Sequence, residues 1–122
     1  MRERAGLLVR AGEELGFVPA NTAQSIVALP AVSPVAHTPL AMTLLNGRVV
    51  PVVALGSATG VLVLCELDGE PVGFSGLEPV RVGLFTANER GVIVDGHLVL
   101  ELDLASAWRS LEPALEPQLG EI

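Results

Sequence analysis

Residues 40–55 read LAMTLLNGRVVPVVAL, two aliphatic runs on either side of an Asn-Gly pair. A two-residue hairpin turn needs positive φ at both central positions, and Asn46-Gly47 adopts that conformation at little cost. Leucine and valine on both sides favour strands. The segment therefore predicts a β-hairpin with strands at residues 40–45 and 48–55. Pro51 cannot donate a ladder hydrogen bond, which places it at a sheet edge or a bulge.

The same turn chemistry recurs along the chain. Asp68-Gly69 separates aliphatic runs at 61–67 and 70–75, and Asp95-Gly96 separates runs at 91–94 and 97–102. Gly12-Glu13 predicts a further turn, between strands at 7–11 and 14–18, and residues 80–85 read as another strand. Together these segments predict about nine short strands, at the regular spacing that is typical of barrels and sandwiches. The loop at 56–60 is a candidate seam between two halves.

Helical patterns occur twice. Residues 21–29, after Pro19, predict a short helix, and a C-terminal helix is expected to open at Asp103, whose carboxylate can accept hydrogen bonds from free amides. One face of that second helix is apolar at helical spacing, through Leu104, Trp108, Leu111 and Leu115. We expect Trp108 to dock it on the barrels. We expect residues 112–122 to form an acidic, frayed tail after a single domain at 1–111.

The composition of the chain argues against several classes of function. The chain has 122 residues, with 7 basic and 14 acidic side chains and a net charge of −7. It lacks the clustered positive charge that nucleic acids require, so no nucleic-acid partner is expected. Prolines interrupt the uncharged stretch at 15–47, which argues against membrane insertion. Cys65 has no second cysteine to pair with, so we expect a cytoplasmic protein.

The sequence shows no catalytic or metal-binding motif. His37 and His97 lack the spacing and the cysteine partners of a zinc site. The acidic residues at 66, 68 and 70 flank a tight turn, where water solvates them. No phosphate loop and no nucleophile elbow occur. We therefore expect neither enzymatic activity nor a cofactor nor a metal.

Residues 46–55, NGRVVPVVAL, resemble the signature hairpin of CheW-like domains, which runs Asn-Leu-Arg-Gly, one residue, two aliphatics, Pro, two Val, Asp, Leu. The strand at 14–18 and the helix expected at 21–29 are similar to that family's second strand and first helix. The hairpin at 61–74 and the Leu-Asp-Leu at 102–104 are similar to later family elements. Asn46 and Ala54 stand where the family usually has arginine and aspartate. The resemblance spans about 7–111.

The resemblance implies a mainly β fold of two intertwined five-stranded, SH3-like barrels with one or two short helices. It also implies a non-catalytic adaptor of bacterial chemotaxis-type signalling, a scaffold between a methyl-accepting receptor's cytoplasmic tip and the regulatory domain of a CheA-type histidine kinase. The departures suggest a specialised or degenerate paralogue. Candidate partner-binding residues are Asn21, Gln24, Asn46, Gly47, Arg48 and Arg81. Ile26 and Val27 are expected to face the core.

Other functions stay open at this point. A small barrel can bind an apolar small molecule in its core, although solid packing is usual at this size. The chain is also compatible with a self-associating structural module, or with an enzyme subunit whose chemistry lies in a partner chain. Capture of a kinase or receptor, thermal shift with apolar compounds, and sizing chromatography distinguish these alternatives.

Overall fold

The computed structural model describes residues 2–38 and 40–111 and is mainly β, as predicted. Helix α1 is described at residues 104–111. The predicted tail at 112–122 and the helix position Leu115 lie outside the described residues. The strands are β1 (Glu3–Ala11), β2 (Glu14–Pro19), β3 (Ala23–Ala28), β4 (Ser33–Pro34), β5 (Leu40–Leu45), β6 (Arg48–Ala54), β7 (Val61–Leu67), β8 (Glu70–Ser75), β9 (Leu77–Asn88), β10 (Gly91–Val94) and β11 (His97–Leu100).

The strands form two curled sheets. The first sheet has the order β11-β10-β9-β1-β2, and the second has the order β3-β7-β8-β6-β5-β4. The first sheet closes on itself where Phe17 bridges to Glu101 and the Leu102 amide donates to the Phe17 carbonyl at 2.9 Å. The two sheets are intertwined in sequence, because β1 and β2 precede the second sheet and β9 to β11 follow it.

Strand β1 forms the wall between two hydrophobic cores. Leu8 packs inside the first sheet with Phe17 and Phe85, whose rings meet edge to face at 6.0 Å between centroids. Leu7 and Val9, on the opposite face, belong to a larger core that includes residues of both sheets. Both faces of β1 are therefore buried in its middle, and the larger core ties the two sheets together.

The Asx-Gly turns are present as predicted. In each turn both central residues have the positive φ of a type I′ hairpin. The φ values are 51° and 79° for Asn46-Gly47, 52° and 80° for Asp68-Gly69, and 49° and 79° for Asp95-Gly96. These local signals set the three hairpins and their registers.

The C-terminal helix begins as predicted. The Asp103 carboxylate accepts from the Ser106 amide at 3.0 Å and from the Ser106 hydroxyl at 2.8 Å. Trp108 is buried in the larger core, so the helix docks over the contact between the sheets. Arg109, on its outer side, pairs with Asp68 at the tip of the β7–β8 hairpin at 3.2 Å. The cap, the apolar face and this ion pair together fix the helix.

The helix predicted at residues 21–29 is wrong. The segment forms β3, which pairs antiparallel with β7, for example Ile26 with Val63 and Val27 with Leu62. Neighbouring β-branched side chains fit a strand better than a helix. The edge of β7 supplies the backbone partners, an interaction that local sequence does not reveal.

Two predictions about the β6 region also need correction. The loop at 56–60 is not the seam between halves, because β6 and β7 on either side of it lie in the same sheet. The chain passes between sheets at Ala20–Thr22 and at Gly76, a left-handed glycine with φ 87°. Pro51 lies neither in an outer strand nor at a bulge. The parallel pairing of β6 with β8 begins only at Val52, so at Pro51 strand β6 is paired with β5 alone. Proline is tolerated there because the side of β6 that faces β8 is still unpaired.

Candidate functional site

An apolar groove runs between the two sheets. It has a volume of about 460 Å³, and its lining comes from β1, the turn after β2, β3 and β9. None of the lining side chains is ionisable. The lining residues are Ala5, Gly6, Leu7, Ala20, Ala23, Gln24, Ser25, Ile26, Val82, Gly83 and Leu84.

The groove exists because the contact between the sheets ends partway along β9. Near the start of β9, Leu77 is buried in the larger core. Further along, Val82 and Leu84 pair with Leu7 and Ala5 of β1 but are 73% and 63% exposed. Strand β3, the edge of the second sheet, lies across from them with Ile26. An uncovered apolar face of this kind is typical of an interaction surface.

A second exposed surface lies at the end of the β5–β6 hairpin. We define the hairpin tip as Leu44, Asn46, Gly47, Arg48 and Val49, all of which are exposed. Leu44 and Val49 are cross-strand partners. The tip therefore combines an aliphatic pair with one arginine and a turn amide, a composition suited to protein contacts. It shares no residue with the groove lining.

The predicted partner-binding residues do not form one cluster. Gln24 lies in the groove lining and donates through Nε2 to Glu66 Oε2 on β7. Asn21 is exposed in the turn before β3, where its Oδ1 accepts from the Thr22 hydroxyl at 3.5 Å. Asn46, Gly47 and Arg48 lie at the hairpin tip. These five residues are thus divided between two surfaces and the β2–β3 turn, and Arg81 lies apart from them on β9.

Arg81 has a contact that the sequence did not indicate. Its guanidinium carbon lies 4.9 Å from the centroid of the Phe85 ring, and Arg4 lies 5.0 Å from the Phe17 centroid in the same way. Such cation–π contacts hold an arginine against an aromatic face. Arg4 also donates to Glu101 at 2.6 Å. The two arginines therefore lie over the aromatic pair of the first core, so Arg81 has a structural contact as well as its predicted place in partner binding.

Sequence reasoning missed the groove residues other than Gln24. Val82 and Leu84 alternate with other residues in β9, a pattern that usually marks a buried face, yet both are largely exposed. Ile26, expected to face the core, lines the groove instead, whereas Val27 is half-buried. Alternation identifies a strand face but not whether another sheet covers it. Nothing local in the sequence distinguishes the two cases.

The ionisable groups of the described residues form no reactive cluster. Burial raises the pKa of the Cys65 thiol to about 12, which keeps it protonated and unreactive. No group of three or more His, Cys, Asp or Glu side chains is placed to hold a metal ion in residues 2–38 and 40–111. Within the same residues, no helix has both the length and the apolar character to cross a membrane.

No protein-family model matches the chain, and the curated proteins searched include no match. Among solved structures the chain is similar to the scaffolding protein TtCheW from Thermoanaerobacter tengcongensis, with a TM-score of 0.55 at 15% identity. The match covers 66% of this chain and 66% of TtCheW, slightly under two thirds of its length. The likeness shows that the chain has a CheW-like fold.

Proposed function

We propose that this chain is a non-catalytic adaptor of the CheW type in the cytoplasm. In this role it joins the cytoplasmic tip of a methyl-accepting receptor to the regulatory domain of a CheA-type histidine kinase. The observation that carries the proposal is the uncharged groove between the sheets, found on a CheW-like fold. Adaptors act by binding, and the groove offers apolar contact without a charged group that a partner would have to neutralise.

We assign the groove to the receptor and the hairpin tip to the kinase. A receptor tip is a helical hairpin, and an amphipathic helix places its apolar face in a hydrophobic groove. The hairpin tip presents Arg48 beside exposed aliphatic side chains, a set that suits the mixed surface of a folded domain. Because a shared core joins the two sheets, the adaptor holds both partners in a fixed relation.

We also propose that the chain is a specialised member of this class of adaptors. Asn46 stands where the related hairpins usually carry arginine, and it adopts φ 51°. Asparagine occupies this left-handed region more readily than arginine does. The substitution therefore favours a tight turn over a second cation at the tip, which leaves Arg48 as the charged group there.

The groove assignment is tested with the purified chain and a receptor cytoplasmic fragment from the same organism, by titration calorimetry. Val82→Glu places a charge in the apolar groove at a largely exposed position, so folding is retained and receptor affinity falls by about tenfold or more. Leu44→Glu, at an aliphatic site outside the groove that is 65% exposed, is the matched control and retains receptor affinity. Equal binding by wild type and Val82→Glu, or no binding by the wild type, overturns the assignment.

A second candidate function rests on the size of the groove. At about 460 Å³ it falls within the range of small-molecule sites, which is roughly 300–1,000 Å³. An apolar ligand would then bind between the sheets and not inside a barrel, where side chains such as Phe17 and Val92 fill the core. A rise in melting temperature with apolar compounds, abolished by Val82→Glu, supports this function. Receptor binding without such a shift supports the adaptor.

A further inference from the structure

A separate cleft opens at the seam of the first sheet, where its edge strands β2 and β11 meet. The strands are joined at one end, by the Phe17–Glu101 bridge and the Leu102 amide. In the parts of the chain that the structure describes, no ladder links residues 14–16 to β11. The remaining cleft has a volume of about 700 Å³ and shares no residue with the groove or the hairpin tip.

The walls of the seam cleft carry exposed leucines. Leu98 and Leu100 are 42% and 45% exposed, and Val99 between them is buried in the first core. Because side chains alternate along a strand, the two leucines lie on the outer face of β11. Leu15 of β2, also exposed, lines the cleft from the other side. A single exposed leucine is ordinary, but three along one cleft form an apolar stripe.

The rim of the seam cleft is acidic. Its lining includes five carboxylates and one arginine, Arg10; the acidic residues are Glu13, Glu14, Asp95, Glu101 and Asp103. Glu101 is paired with Arg4, and Asp103 caps the helix. Glu13, Glu14 and Asp95 extend from two neighbouring turns and are exposed. These carboxylates are part of the net charge of −7 on the whole chain, and they make the field at the rim negative.

The arrangement fits an extended partner better than an ion. The carboxylates are spread around the rim and do not converge, and within residues 2–38 and 40–111 no group of three is close enough to hold a metal. Among the described residues, no strand ladder pairs with the outer edge of β11. A free strand edge can pair with an added strand, and alternate side chains of that strand then contact the surface beside the edge.

We propose that the seam cleft binds a cationic, leucine-bearing extended segment of a partner protein. The segment lies along β11, its aliphatic side chains contact Leu98 and Leu100, and its lysines or arginines face the rim carboxylates. Charge complementarity speeds the encounter and fixes the register, while apolar burial supplies affinity. This site is independent of the adaptor function, because neither the groove nor the hairpin tip contributes to it.

The probe is a fluorescent peptide of alternating leucine and lysine, titrated with the full chain and followed by anisotropy. Two double variants remove one component each: Glu14→Gln with Asp95→Asn removes rim charge, and Leu98→Thr with Leu100→Thr removes the stripe while keeping strand propensity. Each is expected to weaken binding by about tenfold or more, and higher salt to weaken it further. Circular dichroism confirms that both variants fold.

The matched control is Glu70→Gln with Glu89→Gln, which changes net charge equally at exposed positions outside the cleft. It is expected to retain the wild-type affinity. A peptide with serine in place of leucine is expected to bind weakly. The proposal is overturned if the control pair loses as much affinity as the rim pair, if the serine peptide binds as tightly as the leucine peptide, or if the wild type binds neither.

Discussion

Leu44 lies directly opposite Val49 across the β5–β6 hairpin, and the two side chains are 65% and 61% exposed. Cross-strand aliphatic pairs usually stabilise a sheet by packing under a second layer. Here the outer face of the hairpin is uncovered, immediately beside Arg48. This relationship leaves an exposed aliphatic pair beside Arg48, and the first prediction rests on it.

Replacing Arg48 with glutamate is expected to reduce capture of the kinase regulatory domain without lowering the melting temperature measurably. The side chain is exposed at the end of a hairpin, and such substitutions change stability by about 0.5 kcal/mol or less. Arg90→Glu, also exposed in a turn, controls for the change in net charge. A loss of folding in Arg48→Glu would show that Arg48 is structural, and unchanged capture would remove it from the site.

Replacing Trp108 with alanine is expected to lower the free energy of unfolding by about 3–5 kcal/mol, because the side chain is buried in the core shared by both sheets. Urea denaturation measures the loss. Ser110→Ala, on the exposed side of the same helix, is the control and should change little. Equal midpoints for Trp108→Ala and wild type would mean that the helix does not dock through this residue.

The helix cap predicts a specific pH dependence. Hydrogen bonds from the Ser106 amide, and then from its hydroxyl, hold the pKa of Asp103 below its ordinary value. Because the folded pKa is depressed, the stabilisation is complete above the unfolded pKa of about 4 and is lost as pH falls through the folded pKa. At pH 7 the urea midpoint of the wild type should therefore be higher than that of Asp103→Asn. This difference in midpoint should vanish in acid. A difference that is constant with pH contradicts the charged cap.

Cys65 is expected to resist thiol reagents in the folded protein. Burial removes the side chain from solvent and raises its pKa to about 12, so almost no thiolate is present at pH 8. Titration with a chromogenic disulfide should give no signal in buffer and one thiol per chain in concentrated urea. Rapid reaction under native conditions would show that β7 opens readily or that Cys65 is not buried.

Much of the fold was predictable because its signals are local. Asn46-Gly47 and the two Asp-Gly pairs need positive φ, and the structure places left-handed residues at all three turns. The Asp103 cap and Trp108 likewise lie within two turns of helix. Each of these features depends only on residues that are close in sequence, so a single sequence suffices to predict it.

The errors arose where distant segments decide the structure. The segment at 21–29 became β3 because β7 offers an edge to pair with, and β6 joins β8 in parallel through residues far apart in sequence. The groove depends on where one sheet stops covering the other, so Val82 could not be distinguished from a buried strand residue. Of the predicted site residues, Gln24 alone lies in the groove lining.

The most direct test asks whether the chain binds both partners at once. We expect the chain, a receptor cytoplasmic fragment and a kinase regulatory domain to sediment together as one ternary complex in analytical ultracentrifugation. Val82→Glu should remove only the receptor fragment, and Arg48→Glu should remove only the kinase domain. Competition between the two partners for wild-type chain, or loss of both partners from either variant, would contradict an adaptor with two separate faces.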